Sequence, residues 1–310
     1  VSARLRSADG DGRASVSLAE LIALRARTGR LAPARAPRQA AQAGQQASRL
    51  HGRGMDYAES RAYQPGDDVR RLDWRLTARS GRLHTKLFEE EREAQLLVLL
   101  DTHASMRFGT RARFKSVQAA RAAALAAWQA ARAGERVGAL AFGVQRQLLR
   151  PRPGMHGALA LCGVLAEWDR APGDEAAAEA LSGALRRAAR LARGASRVLL
   201  LSDGLCCDEA ARPLLWELSR HAQVGVLLVA DPLERALPPP GRYPLEHGGE
   251  RREVELYGER QRREFQQALG GGGLRLAAMA RSLGLACRSI DTAADPQPAV
   301  SALLGVQGAR

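Results

Sequence analysis

Apolar positions along this chain follow two periods that alternate from residue 96 onward. Leu96-Leu97-Val98-Leu99-Leu100 is an unbroken apolar run ending in Asp101, the pattern of a strand buried on both faces. Val198-Leu199-Leu200-Leu201 repeats it and ends at Ser202-Asp203-Gly204, and the run 224–229 ends at Ala230-Asp231-Pro232. Between these runs the spacing turns helical. Residues 111–132 predict a long helix with Phe114, Val117, Leu125 and Trp128 on its apolar face. Residues 156–168, 175–193 and 208–220 predict three more, and 137–142 with 147–150 read as two strands joined at Gly143. Strands alternating with helices predict an α/β fold with a doubly wound, mostly parallel sheet.

The flanking segments carry weaker patterns. Leu18, Leu21, Ile22 and Leu24 fall at near-helical spacing over 17–28, and Ser17 with Glu20 three residues on reads as a capping box. Residues 32–48 are rich in Ala, Gln, Pro and Arg and read as a linker. Short turn-punctuated pieces fill 50–95, including a turn at Gln64-Pro65-Gly66-Asp67. Residues 232–257 predict a loop with a short hairpin around Tyr243 and Val254. A helix from 259 to 269 is expected to break at Gly270-Gly271-Gly272-Gly273 and resume to Ser282. A last strand over 285–290 and a terminal helix over 298–304 follow. The domain division is then 1–48, a basic segment with one helix and linker; 49–95, a small subdomain; and 96–310, the α/β domain.

Composition narrows the function classes. Hydrophobic content of 45% and charged content of 26% are those of a globular chain. Of 47 basic residues only Lys86 and Lys115 are lysine, and with so many alanines this arginine excess reads as codon bias. The net charge of +14 invites a nucleic-acid reading until it is divided. Ten arginines against three acidic residues put +7 in residues 1–54, where no aromatic occurs before Tyr57. Residues 55–95, eight basic against nine acidic, carry −1. Basic residues without stacking aromatics or a docking helix argue against specific nucleic-acid binding. No apolar run approaches the ~18 residues of a transmembrane segment, and the N-terminus has no apolar secretory core. Four cysteines with no C-x-x-C spacing fit a reducing compartment, so a cytoplasmic location is expected.

No Walker A element, G-x-G-x-x-G or G-x-S-x-G elbow is present, and the six histidines are scattered. What remains is three carboxylates at strand ends, Asp101, Asp203 and Asp231, where open α/β sheets bind their ligands. Asp101-Thr102-His103-Ala104-Ser105 and Ser202-Asp203-Gly204 supply oxygens that suit a hard ion, Mg²⁺ or Mn²⁺, weakly held. The arrangement resembles the metal-ion-dependent adhesion site of von Willebrand factor A domains: Asp-x-Ser-x-Ser, a later Thr and a later Asp. Asp101, Ser105 and Asp203 match that pattern. His103 stands where the first Ser belongs, and imidazole is a poor Mg²⁺ ligand. No threonine occurs from Gly143 to Asp203; Asp174 and Glu175 stand before the next helix instead. The alternative is that Asp101 and Asp203 cap loops and accept hydrogen bonds from backbone amides.

A longer resemblance runs through Gly52-Arg53-Gly54-Met55-Asp56-Tyr57-Ala58-Glu59-Ser60-Arg61-Ala62-Tyr63-Gln64-Pro65-Gly66-Asp67-Asp68-Val69-Arg70-Arg71-Leu72-Asp73-Trp74. It continues through Thr77-Ala78-Arg79, His84-Thr85-Lys86 and Glu89-Glu90-Glu91-Arg92-Glu93, then Ser105-Met106-Arg107-Phe108-Gly109. Later pieces are Glu135-Arg136-Val137-Gly138 and Asp231-Pro232-Leu233-Glu234. The stretch is similar to a bacterial family of unknown function, encoded beside MoxR-type AAA+ ATPases, whose members contain a von Willebrand factor A-like domain. Many of its members carry transmembrane helices, so this chain resembles the soluble branch. The resemblance implies a non-catalytic adaptor that binds a MoxR-type ATPase and its clients, with Arg61, Tyr63, Gly66, Asp67, Asp68, Arg70, Asp73 and Trp74 as a signature surface. Alternating acids and arginines there also suit an ion-paired module packed on the α/β domain. The competing enzyme reading is a metal-dependent hydrolase or phosphoryl-transfer enzyme using Asp101 and Asp203, with His103 the general base at hand.

Overall fold

The structure, a computed structural model, describes residues 10–28, 55–90, 94–170, 175–192, 197–247 and 250–305. The linker expected over 32–48 and Asp174 lie outside them. The chain divides into two compact units, one drawn from 1–36 and 94–310, the other from 37–93. In the first, α1 (Leu18–Ala23) runs into a 3-10 turn, Leu24–Arg27. The smaller unit pairs β1 (Met55–Ala62) antiparallel with β2 (His84–Glu90), and α2 (Trp74–Ser80) lies between them in sequence. Its turns are set by capping carboxylates. Asp68 caps the 3-10 turn Val69–Arg71 by accepting from Arg70 N, and Asp73 caps α2 by accepting from Leu76 N. The turn at 64–67 closes with Asp67 N donating to Gln64 O, and Gly66 adopts φ +107°.

The larger unit continues with β3 (Gln95–Asp101), α3 (Lys115–Arg132), β4 (Arg136–Phe142), β5 (Leu148–Pro153) and α4 (Gly154–Arg170). Then come α5 (Leu181–Leu191), β6 (Arg197–Ser202), α6 (Ala211–His221), β7 (Gln223–Ala230) and the single turn α7 (Pro232–Arg235). A hairpin of β8 (Gly241–His247) and β9 (Glu250–Leu256), then α8 (Glu259–Ser282), β10 (Ala286–Asp291) and α9 (Gln297–Leu303) complete it. Six strands form one sheet in the order β10-β7-β6-β3-β4-β5, parallel except for β5. This is the α/β, mostly parallel architecture the apolar runs predict.

The reason is visible in β3, where every residue is buried. Leu96, Val98 and Leu100 join a core shared with α1, α3, α4 and α9, while Leu97 and Leu99 join the opposite core under α5, α6 and α8. A strand covered on both faces has no polar side to alternate with. Alanine fills half of α3 for a related reason: buried from Val117 to Ala131 except at Arg121, it needs small side chains to approach its neighbours closely. Trp128 Nε1 donates to Leu21 O at 2.9 Å and ties α1 down.

Local signals fail where a tertiary partner claims the residue. Ser17 makes no side-chain cap, and Glu20 pairs with Arg121 of α3 rather than completing a capping box. The helix expected from 111 starts at Lys115, since Thr110 is held by Asp231 and Gly109 turns tightly against Arg113 O. The helix expected from 175 begins at 181, preceded by a 3-10 turn, Glu175–Ala177, whose Glu175 carboxylate accepts from Ala104 N. The hairpin forms with Tyr243 directly opposite Val254.

The largest correction concerns Gly270–Gly273. The helix does not break there: α8 runs unbroken from Glu259 to Ser282. Three of the four glycines lie where other backbone passes. A Cβ on Gly270 would meet Glu234 O at 2.5 Å, one on Gly272 would meet Leu205 N at 2.5 Å, and one on Gly273 would meet Asp203 O at 3.3 Å. Gly204, at φ +81°, meets Gly272 O in return. Gly271 points away, with only the Arg275 guanidinium 3.9 Å from where a Cβ would sit. These glycines therefore serve close approach rather than a turn. Gly271→Ala should stabilise the protein by about 0.5–1 kcal/mol through helix propensity. Gly272→Ala should destabilise it by roughly 1–3 kcal/mol through overpacking. Urea denaturation distinguishes the two, and equal shifts of the same sign would contradict the packing role.

Candidate functional site

Strands β3, β6 and β7 are neighbours, so Asp101, Ser202, Asp203 and Asp231 arrive at one edge of the sheet. Asp101 is buried and fully engaged. Its Oδ1 accepts from His103 N at 2.9 Å and lies 2.7 Å from His103 Nδ1. Its Oδ2 accepts from Ser202 Oγ at 2.5 Å and from Cys206 Sγ at 3.1 Å. Burial pushes the Asp101 carboxyl upward, but the hydrogen bond and charge of His103, with Ser202, hold it below the usual range. Burial likewise opposes a proton on His103, yet Asp101, with Glu175 and Asp203 beyond it, raises the imidazole above its ordinary value. The ring meets Phe142 edge-on. Gly143, at φ +97°, makes room for it, since a Cβ there would lie 2.7 Å from Nδ1.

Asp203 is occupied differently. Its Oδ2 accepts from Lys115 Nζ at 2.8 Å, and Lys115 also donates to Glu234 Oε1 at 2.5 Å. Lys115 is 1% exposed, and its ammonium stands 5.6 Å from the centroid of Phe108. Burial disfavours the charge, but Asp203 and Glu234 together raise the Lys115 pKa above its ordinary value. The third strand-end acid, Asp231, is structural. It caps α7 and accepts from Thr110 N, Thr110 Oγ1 and Thr292 Oγ1, while Glu234 Oε2 accepts from Asp231 N.

The structure therefore does not assemble Asp101, Ser105 and Asp203 as one hard-ion site. Asp203 is bound to an ammonium, and an imidazole occupies Asp101. Ser105 lies in the 3-10 turn Ala104–Arg107 with its Oγ buried and without a hydrogen-bond partner. Among the described residues, the donors that converge are Asp101, His103 and Cys206. A pocket beside them is walled by Thr102, His103, Arg107, Ser116 and Asp169. Ser116 Oγ and Asp169 Oδ1 are buried there without hydrogen-bond partners, which suits water or a small polar ligand.

Most signature residues of the smaller unit hold its own turns. Arg61 pairs with Asp67 at 2.7 Å, and Asp67 also accepts from Gln64 N at 2.9 Å. These bonds, the backbone one first, hold the Asp67 carboxyl below the usual range. Asp73 accepts from Ser60 Oγ at 2.8 Å, and Tyr63 N donates to Leu83 O. Trp74 and Arg70 face outward. Sequence reasoning missed Lys115 and Cys206. One signal pointed to the first: a lysine kept in a chain of arginines marks a place where a compact ammonium is needed.

Removing the buried cation should be costly. Lys115→Met leaves Asp203 and Glu234 buried and unpaired, and should destabilise the protein by roughly 3–5 kcal/mol. Because the folded pKa of Lys115 is raised above 10.5, its contribution is complete below that value and is lost as pH rises through the folded pKa. Urea denaturation at increasing alkaline pH should show this loss in the native chain and none in Lys115→Met.

The family described as "Protein of unknown function DUF58" matches residues 59–270, and the chain belongs to it. "Uncharacterized protein Rv1480" of Mycobacterium tuberculosis (strain ATCC 25618 / H37Rv) is 36% identical over 197 residues, 62% of this chain. "Uncharacterized protein Mb1516" of Mycobacterium bovis matches to the same extent, and the chain spans 60% of the length of these relatives. Among solved structures, BatB from Bacteroides thetaiotaomicron is similar over 68% of this chain and 97% of its own, with 15% identity and TM-score 0.42. A von Willebrand factor type A structure from Catenulispora acidiphila is similar over 71% of this chain and 43% of its own, with 11% identity and TM-score 0.36. No helix among the described residues is long and apolar enough to cross a membrane.

Proposed function

We propose that this DUF58 chain is a non-catalytic interaction module that works with a MoxR-type AAA+ ATPase and its client proteins. The observation that carries this reading lies in the smaller unit. Trp74 is 67% exposed and Val69 60% exposed, although both belong to the segment that resembles the ATPase-associated family. Arg70, Arg75 and Arg79 are exposed on the same turn and helix. An exposed tryptophan among guanidinium groups has the composition of an interface hot spot, and its charge suits an acidic partner surface. Capping Asp68 and Asp73 present this face on a turn and helix whose starts are fixed.

The strand-end chemistry supports binding over turnover. Without a bound metal, burial, and then the Asp101 charge, push the Cys206 thiol far above its ordinary pKa, so it offers no free thiolate nucleophile. A hydrolase built on Asp101 and Asp203 would have to release one carboxylate from Lys115 and the other from His103.

Co-purification with a MoxR-type ATPase of the same organism, with and without Mg²⁺, tests the reading. A complex is expected, weakened at least about tenfold in Trp74→Ala, the loss of a hot-spot anchor. No complex in either condition, with both proteins folded, would remove the proposal.

A further inference from the structure

We propose that Asp101, His103 and Cys206 form a binding site for a borderline transition-metal ion of the zinc class. Their carboxylate, imidazole and thiol atoms lie within 4.8 Å of one another. One ion with ligand bonds of about 2.0–2.3 Å can bridge such a group after small side-chain rotations. Donor chemistry selects the ion. Imidazole and thiolate favour zinc, cobalt or nickel, and a hard ion such as Mg²⁺ gains little from either. His103, the residue that departs from a hard-ion pattern, is thus a defining ligand of a different site.

The site is built rather than incidental. Asp101 is the last residue of β3, His103 follows two residues on, and Cys206 comes from the loop after β6. Each donor is oriented by a neighbour. Ser202 Oγ donates to Asp101 Oδ2, Phe142 and Gly143 fix the imidazole, and Ser202 Oγ lies 3.6 Å from Cys206 Sγ. Such outer contacts hold metal ligands in place. His103 and Cys206 are only partly buried, which leaves an ion a path to the donors. Lys115 already neutralises Asp203, so Asp203 does not compete for the ion.

On binding, the Cys206 thiol gives up to solvent the proton it now directs at Asp101, and the thiolate sulfur bonds the ion. His103 likewise releases to solvent the proton it now shares with Asp101 and binds as the neutral ring, and Asp101 supplies one oxygen.

Titration of the metal-free protein with Co²⁺ reports the sulfur bond directly. The wild-type chain should show a thiolate-to-cobalt charge-transfer band that saturates at one equivalent. The band should vanish in Cys206→Ser and persist in Cys207→Ser. Zn²⁺ should displace Co²⁺, excess Mg²⁺ should not, and His103→Ala should weaken Zn²⁺ binding at least about tenfold. In the unmodified chain Zn²⁺ should also slow alkylation of Cys206, read by peptide mass, which keeps the test intact if a variant fails to fold. A wild-type spectrum without the band, a band that survives Cys206→Ser, or unchanged alkylation would overturn the site. Complex formation with the ATPase is a separate readout, so either proposal can fail without the other.

Discussion

One buried ammonium organises the strand-end edge of this protein's sheet. Lys115 stands at the start of α3 and reaches both Asp203, after β6, and Glu234, in α7. Glu234 in turn accepts from the backbone of Asp231, which holds Thr110 and Thr292. Four stretches of chain thus converge on one charge. Two buried carboxylates without a cation would repel and be poorly solvated. A protein of this architecture could recruit a metal for that purpose, and here a side chain does the work. The cation is covalently part of the fold, so Asp203 is committed to structure. Asp101 is left to pair with His103 and Cys206, and the two carboxylates that look alike in sequence have different chemistry.

How far the sequence could be read depended on the range of each interaction. Leu96–Leu100 and Val198–Leu201 announced buried parallel strands because an unbroken apolar run has few other stable uses. The turn at 64–67 and the Tyr243–Val254 hairpin were legible because their residues act on their own neighbours. Ser17 and Glu20 have the spacing of a capping box, but Arg121, about a hundred residues away, claims the Glu20 carboxylate. The strand-end position of Asp101 and Asp203 was legible from topology. The partners of those acids were not, since Lys115 and Cys206 become neighbours only after β3 and β6 lie side by side. His103 lies within reach of that reading: two residues from Asp101, it departs from the hard-ion pattern, although spacing alone does not show its bond to the carboxylate.

The smaller unit shows the same division of labour. Within one acidic and basic signature, Arg61, Asp67, Asp68 and Asp73 are consumed by caps, a turn and an ion pair. Those bonds are what allow Trp74 to stay outside: a short helix with a fixed start can present an aromatic ring without burying it. A specific sequence motif can therefore be mostly scaffold, with its recognition chemistry confined to a few members.

The glycine face of α8 carries a consequence for how such a protein can change over time. Along that face the helix meets the strand-end loops backbone to backbone, through Gly270, Gly272 and Gly204. The position of those loops is then set by main-chain atoms that every sequence shares. Side chains elsewhere on α8 and on the loops are free to drift without displacing Asp203 or Glu234. Variation among homologues should therefore be broad around this seam and nearly absent at the glycines themselves. A cluster that resembles low-complexity sequence would be among the least replaceable parts of the chain.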